Sequence, residues 1–143
     1  MPQMLVSPDL SVLRSVADPP PFGLSLRHGG VDAAWLRVVG ELDIATAPRL
    51  EQMLRSAELC ARRLVLDLRE LAFMDCCGVH VILEASVRAR QAGRRLVIVR
   101  GPSSVDRVFV LTETAAAVEI IDLNPVEPPV QTLLQSARRD RAA

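Results

Sequence analysis

Asp75, Cys76 and Cys77 stand in a row before Gly78, and they are the residues of this chain whose types and spacing could do chemistry. The run Phe73-Met74-Asp75-Cys76-Cys77-Gly78-Val79 follows an apolar strand pattern, Leu64-Val65-Leu66 and Leu68 interrupted by Asp67. It precedes a helical pattern of Val79, Ile82, Leu83 and Ser86 that closes at Gly93. The run therefore reads as a strand-to-helix junction. A helix start presents unpaired N–H groups and a partial positive charge, so this turn suits an anion. The same field favours a thiolate, which lowers a thiol pKa and raises its reactivity. Asp75 is placed to cap the helix, because Asp accepts readily from first-turn N–H groups.

Other chemistry is weaker. Adjacent cysteines bridge each other poorly, since disulfide geometry strains the peptide between them. A redox role for Cys76 and Cys77 would draw instead on Cys60, a mixed disulfide or another chain. Cys77 and His80 are three apart and could share a helix face as nucleophile and base, but no orienting group or oxyanion hole is identifiable. Cys60, Cys76, Cys77 and His80 are suitable ligand types without a recognised zinc spacing, so neither a metal site nor a cofactor is assigned.

The elements around this turn follow from periodicity. Phe22, Leu24 and Leu26 alternate with Gly23, Ser25 and Arg27, the pattern of a half-buried strand. His28-Gly29-Gly30 supplies a turn, and Trp35 to Val39 reads as the second arm of a β-hairpin. Gly40 to Pro48 then leads into a helix with Leu50, Met53, Leu54 and Ala57 on one face, and Pro48 suits its first turn. Leu96 to Val99 is a further strand, Ser103 or Ser104 can cap a short helix, and Glu119-Ile120-Ile121 is an edge strand. After Pro128-Pro129, the residues Val130, Leu133, Leu134 and Ala137 make a last amphipathic helix.

Alternating strands and helices predict an α/β domain: a small mixed, largely parallel sheet of four to five strands, with helices mainly on one face. Residues 1–21 form a Pro-rich arm, 22–137 the domain, and 138–143 a basic tail. At 143 residues one domain is expected.

Seventeen basic residues, every one an arginine, balance seventeen acidic ones, and this neutrality argues against broad nucleic-acid or membrane-surface binding. With one Trp, three Phe and no Tyr, a base-stacking platform is excluded as well. No apolar run approaches the roughly 20 residues of a bilayer span, and the start lacks the features of a secretory signal, so a cytoplasmic location is expected. Three cysteines are an odd number and do not make a disulfide framework.

Two segments together carry a family likeness. Gly40-Glu41-Leu42-Asp43-Ile44-Ala45-Thr46-Ala47-Pro48 resembles the opening motif of STAS domains, and Leu64-Val65-Leu66-Asp67-Leu68 through Phe73-Met74-Asp75-Cys76-Cys77-Gly78 resembles their second motif. In order and spacing the chain is similar to bacterial anti-sigma factor antagonists over roughly Phe22 to Leu123. The resemblance implies a binding protein and not an enzyme. Its partner would be an anti-sigma factor, often an ATP-dependent serine kinase, whose capture frees a sigma factor for transcription.

The resemblance also implies a partner surface of Asp43, Ile44, Ala45 and Thr46 beside Asp75, Cys76, Cys77 and Gly78. In the family the second motif reads Asp-Ser-Ser-Gly or Asp-Ser-Thr-Gly, with the third position phosphorylated by the partner. Here Cys77 holds that position, so phosphorylation control is expected to be lost or relocated, for example to Ser86, Ser103 or Ser104. A thiol redox sensor using the same turn, and a scaffold subunit of a signalling complex, stay open as alternatives. A small thiol enzyme or metal protein is a more distant one, and a homodimer is not decided by the sequence.

Overall fold

The computed structural model describes residues 20–29 and 32–124. The N-terminal arm up to residue 19, the final amphipathic segment and the basic tail lie outside the described residues. Strands β1 (Gly23–His28) and β2 (Ala33–Leu42) form the expected antiparallel hairpin. Then come α1 (Ala47–Cys60), β3 (Arg63–Asp67), β4 (Leu71–Met74), α2 (Cys76–Gln91), β5 (Arg95–Val99), α3 (Ser103–Leu111) and β6 (Glu119–Ile121). A single 3-10 turn, Ala115–Ala117, precedes β6.

The sheet runs β1-β2-β3-β5-β6, with every pair after the hairpin parallel. β4 adds a sixth strand that sequence periodicity does not separate from β3. Both pair with β2, one after the other: Ala33–Arg37 lies beside β3, and Gly40–Leu42 lies beside β4. The register shifts between Gly40 and Glu41. Gly40 has φ +94°, and a Cβ there would meet the Phe22 backbone at 2.8 Å, so only glycine fits this kink.

Alternation along each strand divides the buried side chains. Leu36, Val38, Leu64, Leu66 and Ile98 face all three described helices, meeting Leu50 and Leu54 of α1, Ile82 of α2 and Phe109 of α3. Ala33, Val65 and Val99 turn the other way, with Trp35, Ile121 and Leu123 packed against them. Asp67, an acid within an apolar strand, belongs to this second face and is buried. Arg69 pairs with it at 2.8 Å and Trp35 Nε1 donates to it at 3.2 Å, so the charge is compensated.

One helix start differs from expectation. Neither Ser103 nor Ser104 caps α3; both lie within it, and Pro102 is the flanking residue. The Pro102 carbonyl accepts from Val105 and Asp106, so the proline backbone ends the approach.

Candidate functional site

β2 and β4 run side by side and stop together, with Leu42 opposite Met74. Asp75 N–H donates to the Leu42 carbonyl at 3.1 Å, closing the pair. The loop after β2 and the turn after β4 are thereby neighbours at the C-terminal end of the sheet. Thirty-two residues of sequence separate Asp43 from Asp75, and one ladder brings their loops together.

The first loop folds on itself. Asp43 Oδ1 accepts from the N–H groups of Ala45 (3.0 Å) and Thr46 (3.1 Å). The Thr46 hydroxyl donates to the Glu41 carbonyl at 2.8 Å and accepts from Asp43 N–H at 2.9 Å. Such Asx and hydroxyl bonds fix a loop without help from the core. Thr46 then flanks α1 with no side-chain cap bond of its own, and Pro48 follows in the first turn. Ile44 stands out at 76% exposed, and Ala45 is exposed beside it.

The second turn is a capped helix start. Asp75 Oδ1 accepts from Cys77 N–H at 2.9 Å and from Gly78 N–H at 3.3 Å. This is the capping role that the sequence suggests for Asp75. It also changes the anion argument, because two of the free donors at this helix start are already taken. Cys76 is exposed, Cys77 half-buried and Gly78 buried. A Cβ on Gly78 would lie 2.7 Å from Leu42 Cδ2 and 2.8 Å from Met74 Cγ. Gly78 therefore lets α2 sit down on the strand ends, while Cys76 faces outward and Cys77 packs partly against the core.

The Cys77 thiol is shifted opposite to the expected direction. Burial first, then the Asp75 carboxylate and the adjacent Cys76, push it up from the ordinary thiol value, and Asp43 adds to the same effect. The helix start does not act as a bare positive end, since its N–H groups face a carboxylate that lies beside the sulfur.

The remaining candidates separate. Cys60 is exposed at the last residue of α1, the end that leads into the start of β3. A 14-residue helix is about 21 Å long, and it places Cys60 at the opposite end of the sheet from Cys76 and Cys77. An intramolecular pairing with Cys60 is ruled out by this topology. His80 is exposed and its Nε2 sits 3.0 Å from Glu84 one turn further along α2, not on Cys77. Among the described residues, no three His, Cys, Asp or Glu side chains converge as metal ligands. Ser86, a candidate for relocated phosphorylation, is buried, whereas Ser103 and Ser104 are exposed.

Sequence reasoning overlooks Phe73. It is 45% exposed and pairs in register with Glu41, putting an apolar ring at the same tip as Ile44. The signal was its position in β4: alternation with buried Met74 turns Phe73 away from the helices.

The comparisons with known proteins agree with this architecture. The STAS domain family profile matches residues 27–131. An anti-sigma-B factor antagonist of Listeria monocytogenes is 30% identical over 107 residues, covering 74% of this chain and 91% of the relative. Among solved structures, the anti-sigma factor antagonist SpoIIAA in its unphosphorylated form superposes with a TM-score of 0.64 at 17% identity, covering 85% of this chain and 98% of that one. An anti-sigma factor antagonist from Mycobacterium paratuberculosis gives 0.65 at 19% identity, covering 83% of this chain and 97% of that one. Among the described residues, no helix is long and apolar enough to cross a membrane.

Proposed function

This chain belongs to the STAS domain family, and we propose that it acts as an anti-sigma factor antagonist: it binds an anti-sigma factor, of the serine-kinase type, and so frees a sigma factor. The observation that carries this reading is the 30% identity, over nearly the whole length of the relative, to a protein named an anti-sigma-B factor antagonist. The tip supports it physically. Ile44, Ala45 and Cys76 are exposed on two neighbouring, internally hydrogen-bonded loops, with Asp43, Thr46, Asp75 and Cys77 half-exposed between them. A rigid, accessible patch loses little entropy when a partner docks. An interface of about 800 Å² per partner would suffice for specific capture, and no reaction on this chain is needed.

Control by phosphate at this turn is lost in this reading. Sulfur stands at Cys76 and Cys77, and burial and the Asp75 carboxylate push the Cys77 thiol up from its ordinary pKa. The one hydroxyl in the two loops, that of Thr46, is already bonded to the Glu41 carbonyl and to Asp43 N–H. A phosphate would also meet the Asp43 and Asp75 carboxylates in place of free N–H donors. The protein then stays competent to bind whenever it is present, and its abundance sets the response.

The test has two arms. Binding of the purified cognate anti-sigma factor is measured together with release of sigma, and both are expected with the wild-type chain and lost with Ile44→Asp. Incubation with the same partner and ATP is followed by mass spectrometry of the modified residues. Stoichiometric phosphate on Cys77 would refute the loss of control, and phosphate on Ser103 or Ser104 would relocate it. A redox role would rest on exposed Cys76, and equal partner affinity before and after oxidation would remove it.

A further inference from the structure

Cys76 and Cys77 are adjacent thiols in the first turn of α2, and the function proposed above uses neither sulfur as a ligand. Cys76 is exposed and Cys77 half-buried, so both are reached from outside at one turn. The two act on each other, since Cys76 contributes charge and a side-chain hydrogen bond to holding the Cys77 proton in place. Their sulfurs are therefore neighbours, although successive helical positions diverge around the axis. Cys60, the third thiol, stands at the far end of α1 and takes no part.

A disulfide is the wrong product for this pair. It requires the sulfurs to close to about 2.05 Å across a single peptide, which strains that peptide. An atom bonded to both sulfurs relaxes the demand. With bonds of about 2.3 Å, the zinc–thiolate length, meeting near a right angle, the sulfurs stay roughly 3.3 Å apart. The acceptor must be thiophilic, because sulfur is a soft ligand. It must also be satisfied by two protein groups, since among the described residues no three His, Cys, Asp or Glu side chains converge. Structural zinc, which takes four ligands, is thereby set aside. A linear two-coordinate cation is set aside as well, because it holds its sulfurs on opposite sides and neighbouring residues present them side by side. Trivalent arsenic carrying one organic group meets both conditions: it is pyramidal, prefers sulfur to oxygen and has two positions to fill.

We propose that Cys76 and Cys77 form a chelating dithiol site for a trivalent organoarsenical. With an arsonous acid bearing one organic group, each thiol proton leaves with one arsenic-bound hydroxyl as water. Two As–S bonds form, two As–O and two S–H bonds break, and nothing is oxidised or reduced. Asp75 keeps its cap bonds to the N–H groups of Cys77 and Gly78, because the reaction touches side chains only. The site is a property of this turn alone and does not depend on any partner.

Phenylarsine oxide, which hydrates to such an acid in water, is the probe, added in equimolar amount to the full chain. Of the three cysteines, two are expected to vanish from thiol titration, with one arsenical per chain by intact mass. Cys60→Ser is expected to keep full affinity. Cys76→Ser and Cys77→Ser are each expected to lose about 100-fold, the scale on which a second tethered contact raises binding. Cys76→Ser replaces an exposed side chain and keeps the fold, so the test stands even where Cys77→Ser unfolds the chain. Reversal separates chelation from single attachment: ethanedithiol is expected to strip the wild-type adduct at concentrations where mercaptoethanol does not, whereas both strip the serine variants. The proposal is overturned if Cys60→Ser abolishes the adduct, or if Cys76→Ser binds as tightly as the wild type. Equal stripping of wild type and Cys76→Ser by mercaptoethanol would overturn it too, by showing attachment through one sulfur.

Discussion

Asp43 and Asp75 each follow a strand and each direct one carboxylate oxygen at the N–H groups ahead, but the two loops are held differently. Asp43 and Thr46 bond to one another and to Glu41, so the first loop carries its own shape. The Asp75 turn is also capped locally, yet its position depends on Gly78 resting against Leu42 and Met74. One loop is fixed by neighbours in sequence and the other by neighbours in space. A surface built this way tolerates substitution at its outermost residues and almost none beneath them.

The sharpest way to break this comparison is Gly78→Ala. In a helix the alanine alone would gain about 0.5–1 kcal/mol. Its methyl would lie 2.7 Å from Leu42, and overpacking of that kind costs about 1–3 kcal/mol, so net destabilisation is expected in urea unfolding. An equal or raised stability would show that the turn is not anchored from below. Asp75→Ala removes the cap and is expected to lower stability by about 1 kcal/mol. Asp43→Ala should lower it less, under about 1 kcal/mol, because water can replace bonds in an exposed loop. Its larger effect should appear in partner affinity, measured by calorimetry.

A third comparison uses pH. Cys77 holds its proton to higher pH when folded than when unfolded. Its contribution to stability is therefore complete below the ordinary thiol range and is lost as pH climbs through the folded value. Iodoacetamide mapping should label exposed Cys76 before Cys77 at pH 7, and Asp75→Asn should speed labelling of Cys77. Labelling of Cys77 first would show that the helix field outweighs the carboxylate. The smallest effect is expected at Cys60→Ser, within about 0.5 kcal/mol and with unchanged partner binding.

Much of this architecture was legible because periodicity reports burial. The alternation from Phe22 to Leu26, the stripe of Leu50, Leu54 and Ala57, and the cap at Asp75 all appear where their patterns put them. β4 was hidden because Leu71–Met74 continues the apolar run of β3, and a short polar break at Arg69 and Glu70 gives no strong turn signal. The site residues could be grouped through the family likeness, whereas their adjacency comes from the β2–β4 ladder, a long-range pairing that no local pattern encodes. The direction of the Cys77 shift was missed for a related reason. The helix-end field was weighed without the effect of the capping Asp75 carboxylate on the adjacent sulfur, although the cap itself was read.

The kink at Gly40 divides the work of a single strand. It splits one ten-residue strand into a base that shares its ladder with β3 and an outer end that shares it with β4. Only the outer end is continuous with the two loops proposed as the partner surface. On the proposed reading, sulfur can stand where an alcohol would at that outer end without disturbing the base of the ladder beneath it.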